Sequence, residues 1–177
     1  EDFGFNRITV ERPLKLTFQA SDERIARLAD EKGWQNLLKT KKKGEAAEAE
    51  FAEGKALQEA VLGVLSGLDG TRLYRSRPDF VADLKAEGKR RGVKMAATVQ
   101  KAVLSALSER DEAAEVCMKK DGPEPDTDLR DNENVPLKED IDVYMAREVL
   151  PHVPDAWVDG SKMKVGYEIP FTRHFYV

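Results

Sequence analysis

Residues 132–177 read NENVPLKEDIDVYMAREVLPHVPDAWVDGSKMKVGYEIPFTRHFYV, and both helix and strand are written into this one stretch. Leu137, Ile141, Tyr144, Met145 and Val149 recur at the spacing of one apolar helix face. Pro151 stops that helix, because proline has no amide hydrogen to donate and its ring crowds the preceding turn. A Pro/Asp turn region follows, from Val153 to Gly160. Beyond it, bulky and polar residues alternate as in one or two strands, broken at Pro170. A strand that reaches Val177 wants a neighbour or more chain, and the opening EDFGFNR has neither Met nor a basic–apolar leader. The expectation is a fragment cut from something larger at both ends.

Working towards the front, the chain reads as alternating helices and connectors. DTDLRDNENVPL is an extended connection into the last helix, KDGPEPD a turn, and AEVCMKK a short strand. Met95, Val99, Ala102, Val103, Ala106 and Leu107 recur at helical spacing. A helix capped by Ser76 precedes them, with Pro78 in its first turn and Phe80 and Leu84 facing inward. Leu57, Val61, Val64, Leu65 and Leu68 give another stripe inside an Ala/Glu-rich run that begins at Glu45 and closes near Asp69-Gly70. Before that, Ser21 stands at an N-cap with Asp22 and Glu23 behind it, and Gly33 is expected to interrupt the helix. At the front, Ile8 and Val10, then Leu14, Leu16 and Phe18, alternate around Pro13 as two short strands or one kinked strand. The fold class expected is mostly α with short β strands (α+β). Four to five helices form a bundle, and strands at 5–18, 114–119 and 163–176 pair into one small sheet. Residues 1–177 read as a single domain.

Composition narrows the function classes. With 41% hydrophobic and 35% charged residues the chain is globular, and its net charge of −4 excludes a uniformly basic nucleic-acid coat. One cysteine, Cys117, excludes an internal disulfide and a cysteine-built zinc site, and it fits a reducing cytoplasm. Cys117 itself reads as a small buried apolar residue. No run approaches the roughly 18 apolar residues of a membrane span.

Catalytic motifs are scarce. There is no G-x-G-x-x-G, Walker-type loop, G-x-S-x-G elbow or H-E-x-x-H helix. His152 and His174 are the only histidines. A hydrolytic pairing of His152 with Asp155 or Asp159 is weaker than a capping role for His152 at a helix end. The charge pattern offers more. Lys39, Lys41, Lys42 and Lys43 form one basic cluster, and Lys89, Arg90, Arg91 and Lys94 a second. Both are candidates for contacts with the DNA backbone, which position a protein without reading sequence. Solvated loops are the competing reading for both. Arg72, Arg75 and Arg77 form a looser third group. Trp157, Tyr167, Phe171, Arg173, His174, Phe175 and Tyr176 are candidates for packing on a neighbouring domain or subunit, a reading preferred to base stacking. Trp34 is read as an anchor of the core or of a subunit contact.

Four strings carry a family resemblance: EDFGFNRITVERPLKLTFQ at the start, RDNENVPL, EVLPHVPDAWVD, and the closing KVGYEIPFTRHFY. They resemble the C-terminal part of the modification (M) subunits of type I restriction-modification systems. The resemblance covers about residues 1–28 and 127–177, and the helical middle shares composition more than motif. It implies a parent subunit that methylates adenine N6 in DNA with S-adenosylmethionine as cofactor. It also implies a specificity (S) subunit, restriction (R) subunits and DNA as partners, and a bacterial or archaeal cytoplasm. The family's chemistry sits in a preceding Rossmann-like domain with a glycine-containing cofactor loop and an [ND]-P-P-[YF] tetrapeptide. NENVPL is the nearest approach here and lacks the paired prolines, so no catalytic, cofactor or metal residue carries over. The implied role is assembly on the S subunit and engagement of DNA, next to the parent's own N-terminal methyltransferase domain. The alternative is an autonomous helical DNA-binding or adaptor module built on the Met95–Leu107 helix.

Overall fold

The computed structural model describes residues 4–167 and has an α+β fold. In chain order the elements are β1 (Gly4–Glu11), β2 (Leu16–Phe18), α1 (Asp22–Ala26), α2 (Lys32–Gln35), α3 (Glu45–Ser66), α4 (Arg77–Arg90) and α5 (Ala97–Ala106). Then come β3 (Ser108–Arg110), β4 (Met118–Lys119), β5 (Gly122–Pro123), β6 (Asp131–Pro136), α6 (Ile141–Tyr144), β7 (Trp157–Val158) and β8 (Lys164–Tyr167). They gather into two compact units, one from Lys15–Cys117 and one from Glu1–Leu14 with Met118–Val177.

The central unit is helical because three stripes close on one another. Val61, Val64 and Leu65 of α3, Phe80 and Leu84 of α4, and Val99, Val103 and Leu107 of α5 and its cap are all fully buried. Phe18 stacks on Phe80 with ring centroids 5.2 Å apart, and Tyr74 meets Phe80 edge-on. This offset and edge geometry suits the ring quadrupoles. At the start of α1 the Ser21 hydroxyl accepts the Arg24 amide hydrogen (3.4 Å), as the N-cap spacing predicts. Ser76 occupies the N-cap position of α4 with extended backbone but makes no side-chain cap bond.

Gly33 does not break the helix. The break falls earlier, at Glu31, whose backbone is extended, and Gly33 lies inside α2 against the backbone of α5. A Cβ there would stand 3.0 Å from the Thr98 carbonyl oxygen, so glycine permits close packing instead of ending the helix. Gly54 plays the same part in α3, where a Cβ would overlap the Leu37 carbonyl.

The other unit is organised by β1, which is flanked on both sides. β6 pairs with it antiparallel from Phe5↔Pro136 to Val10↔Asp131. On the opposite side β7 covers the end of β1 (Glu11↔Trp157) and β8 its beginning (Gly4↔Tyr167). Ile8, Val10, Val135 and Met145 form its core, with Ile141, Tyr144, Val149 and Val158 packed around them. Asp140 caps α6 by accepting from the amides of Asp142 (2.9 Å) and Val143 (3.1 Å). The helix then widens into a π turn over Met145–Val149 and ends before Pro151. Leu137 is not on this helix. It precedes the cap, is 39% exposed, and its side chain lies against Gly4.

The pairing of the chain ends therefore holds for β1 with β8, residues 168–176 of the expected strand lying outside the described residues, but the single sheet does not. Pro13 divides the 5–18 stretch: β1 stays with the chain ends, while β2 pairs with β3 in the helical unit. The 114–119 segment divides too. Val116 makes one bridge to Lys15, and β4 folds back on β5 as a hairpin. The main partner of β1 is β6, from the stretch read as an extended connection.

Candidate functional site

The two basic clusters have different fates. Lys39, Lys41, Lys42 and Lys43 are all exposed in the connection to α3. Thr40 pins that connection: its hydroxyl donates to Glu50 and accepts the Lys42 amide hydrogen (3.0 Å). Lys42 lies 3.8 Å from the same Glu50 carboxylate. Lys39, Lys41 and Lys43 have no ion-pair partner among the described residues, so this cluster is a row of solvated ammonium groups.

The second cluster is split by Glu87. Arg90 donates from Nε and Nη2 at 2.7 and 2.5 Å, and Arg91 from Nε at 2.6 Å, all to the Glu87 carboxylate. The side chain of Glu87 is only 11% exposed and packs against Gly67 at the end of α3. A Cβ on Gly67 would overlap it. The two arginine hydrogen bonds hold the Glu87 carboxyl down at about 2. Arg90 and Arg91 therefore hold Glu87 in place at the end of α4, where its carboxylate lies against Gly67. They are structural cations, a role their spacing to Glu87 at i+3 and i+4 could have revealed.

Lys89 and Lys94 are placed otherwise. With Lys85, one helical turn before Lys89, they line a half-open cleft of about 450 Å³ where α4 gives way to α5. Leu84, Val93 and Met95 supply its apolar lining, Gln100 contributes an amide, and no carboxylate lines it. Two glycines shape the turn. Gly92 has φ +68°, a left-handed conformation, and Gly88 accepts the Val93 amide hydrogen at 2.8 Å. A Cβ on Gly88 would stand 3.2 Å from the Val93 carbonyl. Lys85, Lys89 and Lys94 have no ion-pair partner among the described residues. Sequence reasoning missed Lys85 and Gln100; the i, i+4 relation of Lys85 to Lys89 was the available signal.

In the looser group, Arg72 and the Tyr74 hydroxyl both donate to one oxygen of Asp83, each at 2.8 Å. The Arg72 guanidinium also sits 4.3 Å over the Tyr74 ring. Burial, then the bond to Asp83, raises the Tyr74 hydroxyl above the usual tyrosine range. This is a packed surface network.

Among the packing candidates, Trp157 is half-buried on β7 and Tyr167 is 70% exposed on β8. Phe171, Arg173, His174, Phe175 and Tyr176 lie outside the described residues. In the chain-end unit, Arg12, Asp131, Glu133, Glu148 and His152 are among the residues that line a cleft of about 240 Å³. Glu133 accepts from the Tyr144 hydroxyl at 2.9 Å. Asp159 is engaged elsewhere: it pairs with Lys162 at 2.8 Å and accepts from Ser161, which in that order bring its carboxyl down to about 2. No group of three metal-ligating side chains occurs among the described residues, and none of their helices is long and apolar enough to cross a membrane. Cys117 is buried.

Compared with known protein families, curated proteins and solved structures, the chain has no match.

Proposed function

We propose that this chain is a C-terminal, non-catalytic segment of a type I restriction-modification M subunit, serving assembly on the S subunit and engagement of DNA. One observation carries the reading. The strings that resemble the family lie at opposite ends of the chain, yet they supply β1, β6, β7 and β8 of a single sheet. Most of the helical unit comes from the stretch without family motifs, and the opening string runs on through β2 into that unit. A chance likeness of scattered strings has no reason to gather four strands into one sheet. In this reading the parent subunit transfers a methyl group from S-adenosylmethionine to adenine N6 through its preceding domain. The segment described here binds neither the methyl donor nor the target base, and R subunits join the assembled complex.

The test is co-expression of the tagged chain with the S subunit of its own system, followed by size-exclusion chromatography. Co-elution in a defined ratio supports the reading; separate elution of the two chains sinks it. The acid-free lysine cleft favours a second reading, an autonomous helical DNA-binding or adaptor module. That alternative requires the chain to bind duplex DNA equally well with and without the S subunit, measured by fluorescence anisotropy.

A further inference from the structure

We propose that the cleft between α4 and α5 is a binding site for a nucleoside phosphate, with the phosphate held by Lys85, Lys89 and Lys94 and the base seated on Val93 and Met95. The proposal goes beyond the assembly reading and stands on the cleft alone, whether or not the chain joins an S subunit.

Charge is the first argument. Acidic residues outnumber basic ones 33 to 29 over the chain, yet three lysines and no carboxylate line this cleft. The adjacent Arg90 and Arg91 show how this fold neutralises the cations it uses for structure, through Glu87. The lysines receive no such partner among the described residues. Like charges gathered without counter-charge repel, and an anion relieves that repulsion. Lysine is a compact point charge suited to phosphate.

The lining narrows the ligand further. Inorganic phosphate has no use for Leu84, Val93 and Met95, whereas a flat base does, and the polarisable methionine thioether adapts to ring faces. Gln100 offers both a donor and an acceptor, the complement of a base edge. The volume of about 450 Å³ falls within the range of small-molecule sites. The same chemistry is carried by a free nucleotide and by one nucleotide of a DNA strand.

The test titrates the full chain with adenosine monophosphate, inorganic phosphate, a short single-stranded oligonucleotide and its duplex. Amide chemical shifts of Gly88, Gly92 and Met95 report binding at the cleft. A nucleoside phosphate in at least one form should bind about tenfold or more tightly than inorganic phosphate. Lys89→Ala/Lys94→Ala should weaken it by about tenfold, and Gln100→Leu should weaken it with all three lysines in place. Tighter binding of an oligonucleotide assigns the site to a strand; equal or tighter binding of the monophosphate assigns it to a free nucleotide. Equal affinity for inorganic phosphate, no shift with any probe, or an unchanged affinity in the lysine variant overturns the proposal. All the substituted side chains are at least partly exposed, so folding is not at issue. Co-elution with the S subunit is a separate readout, so the two proposals can fail independently.

Discussion

In the helical unit the largest fully buried side chains are hydrocarbon or aromatic: Phe18, Leu28, Val61, Leu65, Phe80, Leu84, Val103 and Leu107. In the chain-end unit one of them is a carboxylate. Glu11 is 1% exposed and accepts from Arg130 at 2.7 Å and Lys162 at 2.8 Å, both on the same oxygen, while its other oxygen has no hydrogen-bond partner among the described residues. One unit rests on apolar burial and helix contact. The other rests on a few apolar residues and a carboxylate that must be satisfied because it is out of water, by two cations that themselves reach solvent. This difference makes lost volume the main liability of the first unit and adds a lost counter-charge to the liabilities of the second.

The largest effect should come from removing volume where the helices meet. Phe80→Ala deletes the ring that stacks on Phe18 and meets Tyr74, and it should destabilise the helical unit by about 3–5 kcal/mol in chemical denaturation. A cost under about 1 kcal/mol would mean that this core collapses onto the gap, contrary to its dense packing. Next, Glu11→Ala should cost about 2 kcal/mol, because it removes two charged hydrogen bonds, while Arg130 and Lys162 stay partly exposed and Lys162 keeps Asp159. The local readout is amide hydrogen exchange at Ile8 and Val135, which should accelerate. Unchanged exchange would show that apolar contacts alone hold the sheet. Gly54→Ala should cost about 1–3 kcal/mol by forcing α3 away from Leu37, since the obstructing atoms are backbone and cannot rotate aside.

A smaller effect is expected at Glu87. Its folded carboxyl titrates at about 2, below the ordinary value of 4.5. A depressed carboxyl contributes stability that is fully present above the unfolded value and is lost as pH falls through the folded one. The arginine clamp on Glu87 should therefore weaken between about pH 4.5 and about pH 2. Glu87→Gln should flatten the dependence of the unfolding midpoint on pH within that window and leave the slope above it unchanged. An unaltered acid limb in the variant would remove the clamp from the account.

How much of this was legible depended on whether the signal was local. The stripes Leu57–Leu68 and Val99–Leu107 announced their helices because period 3.6 is written within one element. β6 was hidden: Asp131, Asn132, Glu133 and Asn134 precede its one buried apolar residue, Val135, so no alternation marks it as a strand. Its pairing comes from β1, more than 110 residues earlier, and no window of sequence contains that fact. Leu137 fitted the helical spacing by coincidence, since Asp140 starts the helix three residues later. The site was legible by composition and misread in detail. Lys89, Arg90, Arg91 and Lys94 look alike as charges. Only Glu87, three residues before one arginine and four before the other, tells the bound cations from the unbound ones.

That distinction yields the smallest predicted effect on stability and the sharpest on electrostatics. Lys41→Ala/Lys43→Ala removes two exposed ammonium groups that hold no partner among the described residues, so unfolding should shift by no more than about 0.5 kcal/mol. If this row touches the DNA backbone in the assembled complex, each lost phosphate contact lowers the slope of log affinity against log salt by about 0.9. Two lost contacts should be visible in a titration from low to moderate salt. A slope unchanged by this pair but lowered by Lys89→Ala/Lys94→Ala would confine DNA contact to the α4–α5 cleft. The reverse result would assign the backbone to the solvated row and leave the cleft to a free nucleotide. Lys42 is kept in both variants because it leans towards Glu50, and its removal would mix a local packing change into an electrostatic measurement.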